Sequence, residues 1–291
     1  MIIEGGEMNK RVLGYKLARP DGWDFYTGKT INYRELVGKI AKCPNPDPSL
    51  GVCSKGVIHA SENPNDCFIG ARIPCSAYRI SGIPVVGDKE KWGFIELKII
   101  REIIDLDTLV GWKYSEVIKP INPLCGKPKK LSQEDIANLK AWASVGDSVW
   151  ASVRASVGDS VWDSVRASVR ASVRASVRAS VGDSVWASVG DSVWASVWAS
   201  VRDSVWASVG DSVWASVRAS VWDSVWASVW AYKGSLFPNI KRWRYIRHTK
   251  GVYPFQPMAE LWKRGFVSSF DGKIWRLHSG EKAQIVWEGT L

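Results

Sequence analysis

Much that would classify this chain quickly is missing from it. No run of 18 apolar residues occurs, so no segment is long enough to cross a bilayer as a helix, and no membrane partner is expected. The first ten residues lack the basic start and apolar stretch of a secretory signal, which points to a soluble, cytoplasmic chain. Cysteine is sparse and odd in number: Cys43, Cys53, Cys67, Cys75 and Cys125. Four of the five fall within 33 residues of sequence around His59, at spacings of ten, fourteen and eight, with no Cys-x-x-Cys knuckle. That pattern predicts free thiols in a reducing compartment and no metal site, rather than a disulfide framework or a zinc finger. No established catalytic motif stands out either, so the motifs by themselves ask for no cofactor.

What the chain has in abundance is a single four-residue word. From 143 to 230 it reads [Ala/Asp]-Ser-Val-[Trp/Arg/Gly] 22 times without a slip. Trp, Arg and Gly codons ending in GG differ only in the first base, and Ala and Asp codons can differ only in the second, as expected of a copied twelve-base unit. No period of three or four words orders the variable positions, although every array Gly is followed by Asp. In an α-helix a residue recurring every fourth position drifts about 40° per word and circles the axis in about nine words. The 22 valines would wind more than twice round one helix and could not face a straight partner. A strand has period two, which divides four, so every Val and every Ala/Asp would share one face. The word therefore predicts a central β-solenoid with columns of Val in its core, a long helix being the alternative. It loosely resembles the pentapeptide-repeat solenoids, in which a small residue and a Leu two places later point inward, but each word is one residue short. The array aspartates, Asp147 to Asp223, would also point inward there, at a cost.

The array divides the chain. An α+β domain is expected over 1–130, a linker helix over 131–142, the array over 143–230, and a small C-terminal helix plus β-meander over 231–291. The formal charge of +10 is uneven, about +7 in the tail and −1 in the array. In the N-terminal part the patterning predicts strands over 12–17, 23–28 and 76–80, and a buried strand running into a short helix over 91–104. The stretch Cys43-Pro-Asn-Pro-Asp-Pro-Ser49 can only be loop. Ser132 followed by Asp135 predicts a capping box, starting a helix with Ile136 and Leu139 on one face. In the tail, Pro257 and Gly265 bracket a short helix. Strands are predicted over 266–270, 273–277 and 283–288, with Asp271-Gly272 as the first tight turn. Upstream, Lys241, Arg242, Trp243, Arg244, Tyr245 and Arg247 interleave cations with aromatic faces. Cations neutralise phosphates and rings stack on bases, so this segment is the candidate nucleic-acid-binding site.

Two resemblances add to this. Gly14-Tyr15-Lys16, Phe25-Tyr26-Thr27-Gly28-Lys29-Thr30, the run from Cys53 to Cys67 with Gly56, His59, Pro64 and Asp66, Ile80-Ser-Gly82 and Asp88-Lys89 together resemble an uncharacterised small domain common in bacteriophage and prophage proteins. The likeness covers residues 13–104 and departs from the pattern by one inserted residue, at Val57-Ile58. It implies a viral or mobile-element setting in a host cytoplasm but carries no established activity. The expected role is that of a structural or interaction protein with a repeat spacer and an unidentified protein partner. Gly56, His59 and Ser61 are also similar to the glycine, short gap, His-x-Ser strand of small ADP-ribosyltransferase folds, and Glu96 is the acidic residue of the later apolar strand. This second resemblance implies an enzyme with NAD as cofactor. His59 would bind a ribose hydroxyl, Ser61 would support the pocket, and Glu96 would polarise the 2′-hydroxyl or the attacking group. The plain alternative makes His59 a hydrogen-bonded core residue and puts Glu96 on a solvated strand edge.

Overall fold

The computed structural model describes residues 10–145 except Cys53, Ile69 and Lys89; residues 157, 193–195 and 197; and residues 211–291 except Arg244, Tyr245 and Arg247, with backbone alone over 211–219. The described chain forms two compact units, 10–118 and 119 onward.

The first unit is built on two antiparallel sheets. The larger has the order β1 (Val12–Ala18), β4 (Ser76–Gly82), β7 (Glu96–Ile103), β2 (Ile40–Lys42); the smaller has the order β3 (Ile58–Ala60), β6 (Trp92–Phe94), β5 (Val86–Gly87). β6 and β7 are separated only by Ile95, so one path serves both sheets, and Cys43 N donates to Ile95 O at 2.7 Å where it turns. A second junction is the bridge between Tyr15 and Ser61, whose amides exchange bonds of 2.8 and 3.1 Å. That close approach needs Gly14, because a Cβ there would stand 2.7 Å from Ser61 O. Between the sheets lies a core of Tyr33, Ile58, Tyr78, Ile80, Phe94, Leu97 and Ile99. Two short helices, α1 (Leu106–Val110) and α2 (Tyr114–Ile118), follow β7. Tyr114 Oη anchors α2 by accepting from Cys75 N at 2.6 Å and donating to Cys75 O at 3.0 Å. The strand expected over 23–28 is instead a series of turns, with a lone bridge from Trp23 to Asn32. The cause is Asp24, whose carboxylate accepts from Thr27 N, Thr30 N and Ile31 N and so curls the chain around itself.

In the second unit α3 (Gln133–Ala143) begins at the capping box of Ser132 and Asp135. Asp135 also takes two bonds, at 3.1 and 2.9 Å, from Arg264 at the end of the tail helix. The expected linker helix is therefore packed into this unit. α4 (Asp211–Ser235) and α5 (Gln256–Arg264) lie against a meander of order β10 (Gln284–Gly289), β9 (Trp275–Ser279), β8 (Phe266–Phe270). Gly265, at φ +90°, ends α5 as its position predicts. Trp262 joins the layers: its indole donates to Ile121 O at 2.8 Å, and its ring stacks on Tyr232 of α4 at 5.3 Å.

The fold class expected of the array is overturned. Both units are mixed α and β with small antiparallel sheets, and no described array residue lies in a strand. The last five words lie inside α4, and residues 157, 193–195 and 197 are helical as well. The drift of 40° per word was the argument against a helix, but over five words it amounts to only about 160° from first Val to last. The buried stripe simply changes residue type as it goes, through Val221, Ser224, Val225, Ser228, Ala231 and Tyr232, at helical spacing. Buried serines are tolerated because each hydroxyl bonds back to its own helix, Ser224 to Val221 O at 3.0 Å and Ser228 to Ser224 O at 2.9 Å. The period of four also sets Trp222, Trp226 and Trp230 one above another, with centroids 5.6 and 6.2 Å apart. Asp223, which a strand would have turned inward, is exposed.

Candidate functional site

The first unit holds a half-open cavity of about 610 Å³, walled by β1 and β3, by the turns that follow β1 and β3, and by the loop after β2. The inward positions of β1 are Gly14, Lys16 and Ala18, so a lysine sits between two small residues on the face that looks into the unit. Its ammonium lies 5.3 Å from the centroid of the Tyr33 ring and has no carboxylate within ion-pair distance among the described residues. Lys91, buried, reaches the same cavity, and Lys55 stands exposed at its rim. One carboxylate, Asp24, also lines it. Burial alone would raise the Asp24 pKa, but the amides of Thr27, Thr30 and Ile31 outweigh it and hold the group below the usual carboxylate range.

The charges in this space act on one another. Lys16 is pushed down to about 8, first by burial; Lys91 adds to the effect, while Cys67 and Asp24 oppose it. His59 is pushed down to about 4 by burial and then by the charges of Lys16 and Lys91, so it is a neutral imidazole at physiological pH. Its Nε2 is buried without a hydrogen-bond partner. Burial raises the Cys67 thiol to about 11, which leaves it protonated and unreactive. Cys67 Sγ donates to Tyr15 O at 3.1 Å. Ser61 Oγ makes no geometric hydrogen bond and lies beside that sulfur, whose pKa it pulls down against the stronger effect of burial.

The structure brings His59 and Ser61 together, because β3 carries one and the bridge to Tyr15 fixes the other. Glu96 is not with them. It opens β7 on the exposed side of the larger sheet, opposite Lys42 of β2, with its carboxylate 3.8 Å from that ammonium. Gly56 serves packing, since a Cβ there would run into the backbone of Asp47. Lys16, Asp24 and Lys91 are the cavity residues that the motif reading left without a role. The signal for Lys16 was a lysine flanked at i−2 and i+2 by Gly14 and Ala18 in a short apolar strand.

The basic segment before α5 is only partly a surface. Lys241 and Arg242 are exposed, but Trp243 is 3% exposed and packs on Tyr253 at 4.9 Å and Phe255 at 6.5 Å. It is a core residue and offers no face to a base. Arg244, Tyr245 and Arg247 lie outside the described residues. Of the thiols, Cys43, Cys67, Cys75 and Cys125 are unpaired, and Cys53 also lies outside the described residues. Among the described residues no group of three metal-ligating side chains forms, and no helix is long and apolar enough to cross a membrane. Comparison with known proteins finds no matching family model, no matching curated protein and no matching solved structure, so the case for this site rests on its own geometry.

Proposed function

We propose that this chain is an interaction protein whose first unit binds a small anionic ligand, in the phage or mobile-element setting that its motifs resemble. One observation carries the reading: Lys16 and Lys91 line one cavity, and Asp24, its one lining carboxylate among the described residues, is already committed to its own loop. The charge of Lys91 acts against that of Lys16, and an anion bound in the cavity relieves such repulsion. The volume, about 610 Å³, is of the size that small-molecule sites have, and Phe25, Val57 and Ile58 supply apolar wall for the rest of the ligand. Asn45 and Ser54 add polar groups to the wall that can fix orientation.

A second reading, an NAD-dependent transferase, is favoured by His59 and Ser61 lining the same cavity. It lacks its acid, since Glu96 does not line the cavity and stands exposed beside Lys42 of β2. Titration calorimetry of the full chain with inorganic phosphate, AMP and NAD separates the two readings. Binding of at least one anion, weakened about tenfold or more in Lys16→Met and by added salt, is the expected result. Release of nicotinamide from NAD, lost in His59→Ala, would instead favour the transferase. No heat and no thermal shift with any of the three would remove the anion site.

A further inference from the structure

The cavity holds an amine as well as a charge. Resting on the reading of the cavity as an anion site, we propose that Lys16 captures a carbonyl group of the bound ligand as an imine, so that the ligand class is a small anionic aldehyde or ketone. The geometry supporting this has three parts. Lys16 lines the cavity from the middle of a strand, with an aromatic ring beside its ammonium and, among the described residues, no carboxylate pairing it. A second lysine, Lys91, lines the same cavity, and its positive charge acts on Lys16, which favours an anionic ligand there. Finally, His59, close enough to Lys16 to feel its charge, lines the same cavity as a neutral imidazole.

The step balances without an oxidant or a reductant. Neutral Nζ attacks the carbonyl carbon, forming a C–N bond as the C=O π bond breaks, and the oxygen takes up a proton to give a carbinolamine. The C–O bond then breaks, the oxygen leaves as water, and nitrogen gives up its remaining proton: amine plus carbonyl yields imine plus water. Those protons pass to and from solvent, to which the cavity opens. An amine at a pKa of about 8 is about one quarter unprotonated at pH 7.5, against about one part in a thousand for an ordinary lysine. That advantage of roughly two hundredfold should set Lys16 apart from the surface lysines.

Pyridoxal 5′-phosphate is a suitable probe, being an aldehyde, an anion and a ring of the right size, and pyridoxine 5′-phosphate is its partner without the aldehyde. The full chain is incubated at pH 7.5 with substoichiometric pyridoxal phosphate, reduced with borohydride and mapped by mass spectrometry. The expected result is one label per chain on Lys16, blocked by excess pyridoxine phosphate and absent in Lys16→Arg, which keeps the charge and still binds pyridoxine phosphate. Protection in the natural chain keeps the test decisive should the variant fail to fold. Binding of pyridoxine phosphate with labels scattered over exposed lysines would overturn the imine and leave the anion site standing. Failure of both probes to bind would remove both.

Discussion

At the scale of single residues, His59 in the first unit and His278 in the second are held for different ends. His59 is half-buried beside the cavity, with its Nε2 covered and without a hydrogen-bond partner. His278, fully buried in β9, uses both ring nitrogens: Nε2 meets Ser269 Oγ at 2.7 Å and Nδ1 meets Ala283 O at 3.0 Å. Burial pushes its pKa down to about 4, more than the Ala283 carbonyl raises it. The unfolded chain, with an ordinary imidazole near 6.5, takes up the proton first, so acid favours unfolding. The stability from this group is complete above about pH 6.5 and is lost as pH falls to about 4, by as much as about 3 kcal/mol. Asp135 and Asp271 in the same unit are held below the carboxylate range, so their losses come at lower pH still. Chemical denaturation between pH 7 and 4, in the natural chain and in His278→Gln, checks this. The variant should be less stable at pH 7 and should lose part of the slope in that window, the remainder coming from His59, which is also pushed down to about 4; an unchanged slope would take the effect away from His278.

At the scale of elements, α4 shows how a repeat with poor helix credentials becomes a helix. Ser and Val are mediocre helix formers, and the stability comes from what the stripe meets. Ser224 Oγ accepts from Phe270 N at 3.0 Å, at the end of β8, and Ser228 Oγ lies 3.2 Å from Ser268 Oγ in the same strand. The hydroxyls that should weaken the helix thus tie it to the sheet. Ser224→Ala leaves the Phe270 amide without its acceptor and should cost about 1–2 kcal/mol in urea denaturation. On the exposed face, Asp223→Ala should change stability by less than about 0.5 kcal/mol. Equal effects of the two substitutions would mean that the helix is not docked through this stripe. The capping box at Ser132 and the glycine stop at Gly265 were legible in the sequence because both are local chemistry, satisfied within four residues. The helical state of 211–235 was not legible, because the identity of its partner, β8, lies some forty residues away.

At the scale of the whole molecule, each unit carries its own core, so residues 1–118 should melt cooperatively when expressed alone. Cys43 and Cys75, 7% exposed each, should stay closed to a thiol reagent until that transition. Immediate reaction of both thiols, or a broad melt with dye binding, would show that the unit depends on the rest of the chain. Of the candidate site, His59 and Ser61 were legible from their motif, whereas Glu96 was placed by strand pattern alone, and pattern cannot say which end of a strand meets a cavity. By itself the sequence determined whatever depends on near neighbours: the strands β1, β4 and β8, the caps of α3 and α5, the turn at Asp271-Gly272 and the extent of the repeat. Tertiary structure alone decided that Lys16 and Lys91, 75 positions apart, share one cavity, that Trp243 is core, and that the array's last words are helix. The physical reason is the same in all three: burial and charge coupling are set by which segments meet, and a short word or motif carries no information about its distant partner.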